Sequence, residues 1–301
     1  MPHILFVDDN KNIRTLMRDF FRMRNYAVST AGDAREALEK CRNEPFDMVI
    51  SDINMPGMKG HALLKEVRAL LPRARTMLMT SYAIDDYITV AKRFHISSII
   101  PKTVPINFKE LQALVDGILT GKIFGLQRYL LDDGEMSETY CIRSSVEARR
   151  TRDEIVELFI SRCGTAGDMK LVLDEAITNA IYHAPQLDNG ERKYRELSDV
   201  TLTENEYVYV ECGRDSEKYG VAVCDMQGNL NKGTVLERFE RHITGRGIMD
   251  ESGRGIHMSR VFADTMVINI NPGVRTEVIL LNYLSRKYKG YKPIYINELD
   301  A

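Results

Sequence analysis

Five side chains in the first third of the chain have the types that phosphoryl chemistry needs. Asp8 and Asp9 close the apolar run Ile4–Val7, and Asp52 closes Met48–Ser51. Thr80 closes Thr76–Met79, and Lys102 follows Ile96–Ile100. Three carboxylates gathered in one place repel one another unless a hard cation lies among them, and oxygen ligands suit Mg²⁺. Such an ion leaves positions open for phosphate oxygens, so that one carboxylate can attack a phosphoryl group while charge is offset. An ammonium then pairs with the added phosphate, and a hydroxyl hydrogen-bonds to it.

Whether these groups meet depends on the elements that carry them. The four runs are short and apolar, with turn residues between, and Tyr26–Thr30 is a weaker fifth that lies second in chain order. Between them Ile13, Leu16, Phe20 and Phe21 recur at helical spacing, as do Ala62, Leu63, Val67 and Leu70, and again Leu111, Leu114, Val115 and Ile118. Strand-like runs alternating with helical patterns predict an α/β doubly wound parallel five-stranded sheet with helices on both faces. Open sheets of this kind bind ligands beyond the carboxyl ends of their strands. That rule gathers three carboxylates, a hydroxyl and an ammonium at one edge.

In order and spacing, residues 1 to about 120 closely resemble the receiver domain of bacterial response regulators. The resemblance implies that Asp52 is the phosphoacceptor. It implies that Asp8, Asp9, Asp52 and the backbone carbonyl of Asn54 hold Mg²⁺. Thr80 is then the switch hydroxyl, Lys102 the phosphate-pairing lysine, and an upstream histidine kinase or other phosphodonor the partner. Two positions depart from the pattern. Ile99 stands where the family often has an aromatic switch residue, and Thr103, not proline, follows the lysine, with Pro101 and Pro105 on either side. These departures bear on how phosphorylation is transmitted, with Tyr82 a further candidate, and leave the phosphoryl chemistry intact.

The pattern 104–119 is the last helix of this unit. Residues 121–143 follow as a connector whose Ile123, Phe124, Tyr129, Leu130 and Leu131 predict packing rather than a floppy linker. From Ser144 the pattern restarts, and Ser144 with Glu147 matches a capping box. The run Arg149, Arg150, Arg152 reads as a solvated helix face. A second helix runs from about Asp168 to Ala184, and Glu175 and Asn179 project from one side of it. Tyr207–Glu211 and Tyr219–Cys224 predict an antiparallel hairpin that ends in Asp225-Met226-Gln227-Gly228. A long polar loop leads through Gly245-Arg246-Gly247 to Gly253-Arg254-Gly255, which opens a helix from Ile256 to about Phe262. Val267–Asn271 and Thr276–Asn282 are further strands, making an α+β unit over 144–284. The tail 285–301, with Tyr288, Tyr291 and Tyr295, has no assigned element.

Glycines entering a helix N-terminus let backbone amides approach phosphate oxygens, where the helix dipole favours negative charge. Preceded by Glu175, Asn179 and Asp225, this set resembles the GHKL ATP-binding fold shared by histidine kinases, gyrase-type ATPases and anti-sigma-factor serine kinases. The resemblance implies an α+β sandwich binding MgATP. Asn179 would coordinate the Mg²⁺, with Glu175 the candidate general base and Asp225 an acceptor for the adenine amino group. Gly253, Arg254 and Gly255 would line the phosphates, Thr276 would sit near adenine, and 229–252 would be a lid. His183 fits the same motif and is read as structural. The family commonly has Asp-x-Gly-x-Gly after the strand. Here Gln227 and Asn229 occupy the glycine positions, and the nearest glycine, Gly228, is displaced by one. A side chain at 227 is therefore expected to crowd adenine.

No two-helix segment with a phosphoacceptor histidine fits between the halves, which disfavours a histidine kinase. The second half is most similar to anti-sigma-factor serine/threonine kinases. The resemblance implies a sigma factor or an anti-sigma antagonist protein as downstream partner, with self-association as a homodimer left open. The alternative is a non-catalytic, phosphorylation-dependent adaptor with a degenerate nucleotide site. Net charge is −2 over 301 residues, so bulk attraction to nucleic acid or an anionic membrane is not expected. Five scattered cysteines without a Cys-x-x-Cys pair predict neither a disulfide framework nor a zinc site and fit the cytoplasm.

Overall fold

The computed structural model describes residues 1–81, 98–137, 139–243, 259, 261–285, 287–288 and 292–299. The first half forms strands β1 (His3–Val7), β2 (Ala27–Ala31), β3 (Met48–Asp52), β4 (Arg75–Thr80) and β5 (Ser98–Pro101). They make one sheet in the order β2-β1-β3-β4-β5, with every pairing parallel. The period-two alternation of strand side chains decides what each face meets. Ile4 and Phe6 pack with α1 (Lys11–Arg22) and α4 (Phe108–Thr120). Leu5 and Val7 pack with α2 (Ala34–Asn43) and α3 (Gly60–Leu70). The last helix of this unit starts at Phe108, later than its sequence pattern, because Asn107 caps it by accepting from the Glu110 N–H at 3.3 Å.

A second, separate sheet is mostly antiparallel and runs β12-β10-β11-β9-β8-β6, with β7 also pairing β8. Its strands are β6 (Glu135–Met136), β7 (Tyr140–Ile142), β8 (Val208–Arg214), β9 (Lys218–Asp225), β10 (Thr265–Asn271), β11 (Arg275–Tyr283) and β12 (Ile294–Glu298). The segment 121–143 thus supplies two short strands, and the tail supplies β12, parallel to β10. Val221, Val223, Met266, Ile268 and Leu280 face a layer formed by α5 (Ser145–Cys163), α6 (Met169–Thr178) and α7 (Lys232–Ile243). The opposite face, with Ala222, Val267, Ile279, Leu281 and Tyr295, shares one apolar cluster with Leu126, Tyr129, Leu130 and α4, whose Glu110 accepts from Thr265, Tyr283 and Tyr295. One helix therefore serves two sheets, and each large apolar side chain it buries between them contributes roughly 1.5–3 kcal/mol.

Two expectations change. The helix from Asp168 to Ala184 keeps α-geometry only to Thr178 and then widens to a π-turn over Asn179–His183, closed by the Ala184 N–H donating to the Asn179 carbonyl at 3.0 Å. The stretch after Asp225 is not loop throughout. It contains α7, whose Val235, Leu236 and Phe239 are buried at helical spacing among charged neighbours that masked the stripe in sequence. Gly253, Arg254 and Gly255, the Gly245-Arg246-Gly247 turn, Tyr82, Tyr291 and the start of the helix from Ile256 lie outside the described residues.

Candidate functional site

The carboxyl edge of the first sheet brings together the groups that its strand ends carry. One oxygen from each of Asp8, Asp9 and Asp52 lies within 4.8 Å of the others. Asp8 and Asp52 are buried and Asp9 is exposed, so the cluster opens on one side. Lys102 Nζ stands 2.7 Å from Asp8 Oδ2 and 2.8 Å from Asp52 Oδ1. The lysine is held in turn by its own backbone N–H, which donates to the Thr80 carbonyl at 2.6 Å. Burial pushes the Asp8 carboxyl above the usual carboxylate range, opposed by the Lys102 ammonium and the Asn10 N–H. Thr80 is fully buried at the same edge, and Asn54 is half-buried in the turn after β3. An all-oxygen donor set with one open side fits Mg²⁺, with Asp8, Asp9 and Asp52 as its holders.

Close packing beneath the cluster depends on Gly60. A Cβ there would stand 2.0 Å from the Asp52 carbonyl oxygen, and the Gly60 N–H donates to the Ile53 carbonyl at 2.9 Å. Only glycine lets the first turn of α3 come this near the strand that bears Asp52.

The second half encloses a cavity of about 310 Å³ between its sheet and its helices. Asn179 from the π-turn, Asp225 from the end of β9 and Thr276 from the start of β11 share its lining, with an apolar wall that includes Val223, Met266 and Ile268. Asp225 Oδ1 accepts from the backbone N–H groups of Gln227 at 2.9 Å and Gly228 at 3.1 Å. Burial nevertheless raises its pKa to about 6, because backbone N–H groups only partly replace water. Gly228 sits at φ +61, and a Cβ on it would come 2.4 Å from the Asn271 carbonyl oxygen. The displaced glycine thus serves the Asp225 turn. The Gln227 side chain is absent from the cavity lining and donates to the Asn205 carbonyl at 2.5 Å. The Thr276 hydroxyl, paired across the strands with Asp225, is buried and makes no hydrogen bond.

Glu175 is placed differently from Asn179. Asn179 lines the cavity, whereas Glu175 does not. The Asn179 amide donates to both the Glu175 carboxylate at 2.8 Å and its carbonyl at 2.9 Å. Burial raises the Glu175 pKa. His183 also lines the cavity and meets Glu196 at 3.3 Å. Asn231, Thr234 and Arg238 complete one side of the lining. In sequence these three residues lie in a polar stretch whose one helical signal is the i, i+4 pair Val235 and Phe239.

Residues 4–116 match the family model described as response regulator receiver domain. Transcriptional regulatory protein ZraR of Escherichia coli (strain K12) is 34% identical over 117 residues, covering 38% of this chain and 26% of that protein. A response regulator receiver protein of Anaeromyxobacter sp. (strain Fw109-5) is 30% identical over 141 residues, covering 47% of this chain and 57% of that protein. The chain therefore matches from about a quarter to somewhat over half the length of these relatives. Among solved structures, response regulator protein TrrA of Thermotoga maritima is 32% identical and covers 41% of this chain and 100% of its own, with a TM-score of 0.36. The N-terminal unit is a response regulator receiver domain.

Proposed function

We propose that this chain is a phosphorylation-controlled signalling protein whose receiver, phosphorylated on Asp52, governs a nucleotide-binding second half of GHKL type that acts on a partner protein. Asp52 attacks the phosphoryl group of an upstream histidine kinase or small phosphodonor. Lys102, already beside it, pairs with the new charge, and Thr80 supplies the hydroxyl that the phosphoryl group draws in. Asp8 and Asp9, with Asp52 and the Asn54 carbonyl, would hold Mg²⁺, which offsets charge at the phosphoryl group when bound.

The observation that carries the nucleotide reading is the shared lining of the second cavity. Its volume of about 310 Å³ lies at the small end of ligand sites. An apolar wall suits a flat base, and an ionised Asp225 beside the unpartnered Thr276 hydroxyl suits an exocyclic amine. Asn179 would face the Mg²⁺ of MgATP. Gly228 shapes the base-binding turn, and Gly253, Arg254 and Gly255 belong to the proposed phosphate side by motif alone.

A continuous set of contacts supports joining the halves. Lys102 opens the segment in which Thr103 Oγ1 donates to the Pro105 carbonyl at 2.7 Å and accepts from the Asn107 N–H at 3.1 Å. Asn107 Nδ2 donates to Tyr283 Oη at 2.5 Å, and Tyr283 Oη donates to Glu110 Oε1 at 2.6 Å. Tyr283 ends β11, the strand whose start carries Thr276. A shift of Lys102 toward a phosphoryl group would thus reach the strand that floors the cavity.

Isothermal titration of the full chain with MgATP, with and without prior treatment by acetyl phosphate, tests this. Saturable binding whose affinity changes on phosphorylation is expected. Binding that ignores the state of Asp52 would remove the control, and no binding would remove the nucleotide. Transfer of phosphate to a serine or threonine of an antagonist protein, with Glu175 as base, is the catalytic form of the proposal. The absence of Glu175 from the cavity lining favours the second form: an adaptor in the cytoplasm that binds nucleotide and exchanges a sigma factor or its antagonist without transfer. Labelled ATP with candidate antagonists separates the two.

A further inference from the structure

The cavity of the second half has cationic neighbours that no carboxylate neutralises. Arg238 on α7 lines it, half-buried. Arg192 approaches from another element, the hairpin 185–193. There Gln186 bridges Arg192, the Leu187 N–H donates to the Glu191 carbonyl at 2.8 Å, and the Lys193 N–H donates to the Pro185 carbonyl at 3.2 Å. Gln186 itself lines the cavity, which fixes the hairpin at its mouth. The two guanidinium groups feel each other: burial first, then Arg192, lowers the pKa of Arg238. Burial, Arg192 and Arg238 likewise lower that of His183, against the raising effect of Glu196.

Among the described residues, the side chains of Arg192 and Arg238 make no hydrogen bond or ion pair. Elsewhere arginines find partners, as Arg150 does with Glu154, Arg152 with Asp174 and Arg214 with Glu135. Asp225 is the sole carboxylate in the cavity lining among the described residues, and its Oδ1 is taken by backbone N–H groups. Two like charges at the lining and the mouth of one cavity disfavour the empty site, and an anionic ligand that reaches both relieves the repulsion. A planar guanidinium also presents paired donors that match phosphate oxygens.

We propose that Arg192 and Arg238 form a two-element clamp on the polyphosphate tail of the bound ligand. The clamp makes a nucleoside polyphosphate, rather than a nucleoside, the ligand class of this cavity. The base side of that statement rests on the nucleotide reading given above; the clamp itself requires only a polyphosphate.

Titration of the full chain with adenosine, ATP and inorganic tripolyphosphate, with magnesium present, tests it. The proteins are the wild type, Arg192→Gln, Arg238→Gln and Arg238→Lys, each checked for an unchanged melting transition. Either glutamine variant should bind ATP roughly tenfold to a hundredfold more weakly, the loss of one or two charged hydrogen bonds. Adenosine should bind all four proteins within about twofold, and Arg238→Lys should recover part of the loss. Arg192→Gln, on an exposed hairpin residue, keeps the test open if Arg238→Gln does not fold. ATP and adenosine binding the wild type equally, or falling together in the variants, overturns the clamp and leaves the nucleotide reading standing. Arginine-dependent binding of tripolyphosphate without binding of adenosine or ATP supports the clamp and sinks the purine. Binding of none of the three probes overturns both.

Discussion

Asp8 and Asp225 are both buried aspartates at the ends of sheet strands, and burial raises the pKa of each, but they are compensated by different means. Asp8 has an ammonium 2.7 Å away, so its charge is balanced by another charge. Asp225 has only backbone N–H groups, so its charge is balanced by dipoles alone and its pKa reaches about 6. A carboxylate balanced by a lysine beside two further carboxylates suits ions and phosphoryl groups. A carboxylate solvated only by amides suits a neutral donor, which adds one more hydrogen bond without a countercharge. The two regions thus divide their work by what surrounds the same side chain.

The largest expected effect is at the first site. Asp52→Asn should abolish acetyl-phosphate labelling in magnesium, read by mass spectrometry of the intact chain. Undiminished labelling would show that the first cluster is not a phosphoacceptor site and erase the contrast with the second.

Next comes the helix that the two regions share. Glu110 is buried, accepts from Tyr283, Thr265 at 3.0 Å and Tyr295 at 2.9 Å, and has its pKa raised by burial. Glu110→Ala leaves these hydroxyls without their acceptor and opens a hole, and should cost roughly 3–5 kcal/mol in urea unfolding. A change below about 1 kcal/mol would mean that the α4 contact is dispensable. It would also weaken the link between the halves.

Asp225→Asn sharpens the comparison most directly, because stability and binding should move in opposite directions. A folded pKa raised to about 6 means that the carboxyl stabilises the fold below about pH 4, and that this contribution is lost as pH rises through 6. At pH 8 the asparagine variant, which keeps an acceptor for Gln227 and Gly228, should be more stable by up to about 3 kcal/mol. Its nucleotide affinity should fall about tenfold. Wild-type affinity should itself weaken as pH drops below 6 and the carboxyl takes a proton. A variant of unchanged stability between pH 5 and pH 8 would show that Asp225 is not held by dipoles alone.

The smallest effect is expected at Gln227→Ala. Its side chain points to the Asn205 carbonyl, away from the cavity, so the loss should stay near 1 kcal/mol in stability with nucleotide affinity unchanged. Tighter nucleotide binding in the variant would restore the crowding that the sequence suggested.

The first site could be read from the chain because its groups follow consecutive strands of one parallel sheet. Topology alone then places Asp8, Asp52, Thr80 and Lys102 at one edge. The second site was legible only in part. Asn179, Asp225 and Thr276 stood in recognisable contexts. The helix that supplies Arg238 was hidden by its charged residues, and the Gln227 bond to the Asn205 carbonyl and the absence of Glu175 from the cavity lining had no sequence signal at all. Among the described residues no helix is long and apolar enough to cross a membrane.

By itself the sequence determined the parallel receiver sheet and the chemistry of its edge, since apolar period and strand-end residue types are local properties. Tertiary structure decided that α4 would serve two sheets, that the tail would add a strand, and that Asn179, Asp225, Thr276 and Arg238 would line one cavity. Those outcomes depend on which buried surfaces find each other across more than a hundred residues, as Glu110 finds Tyr283 with a separation of 173. No local pattern encodes such a pairing, because only the packed whole sets its energy.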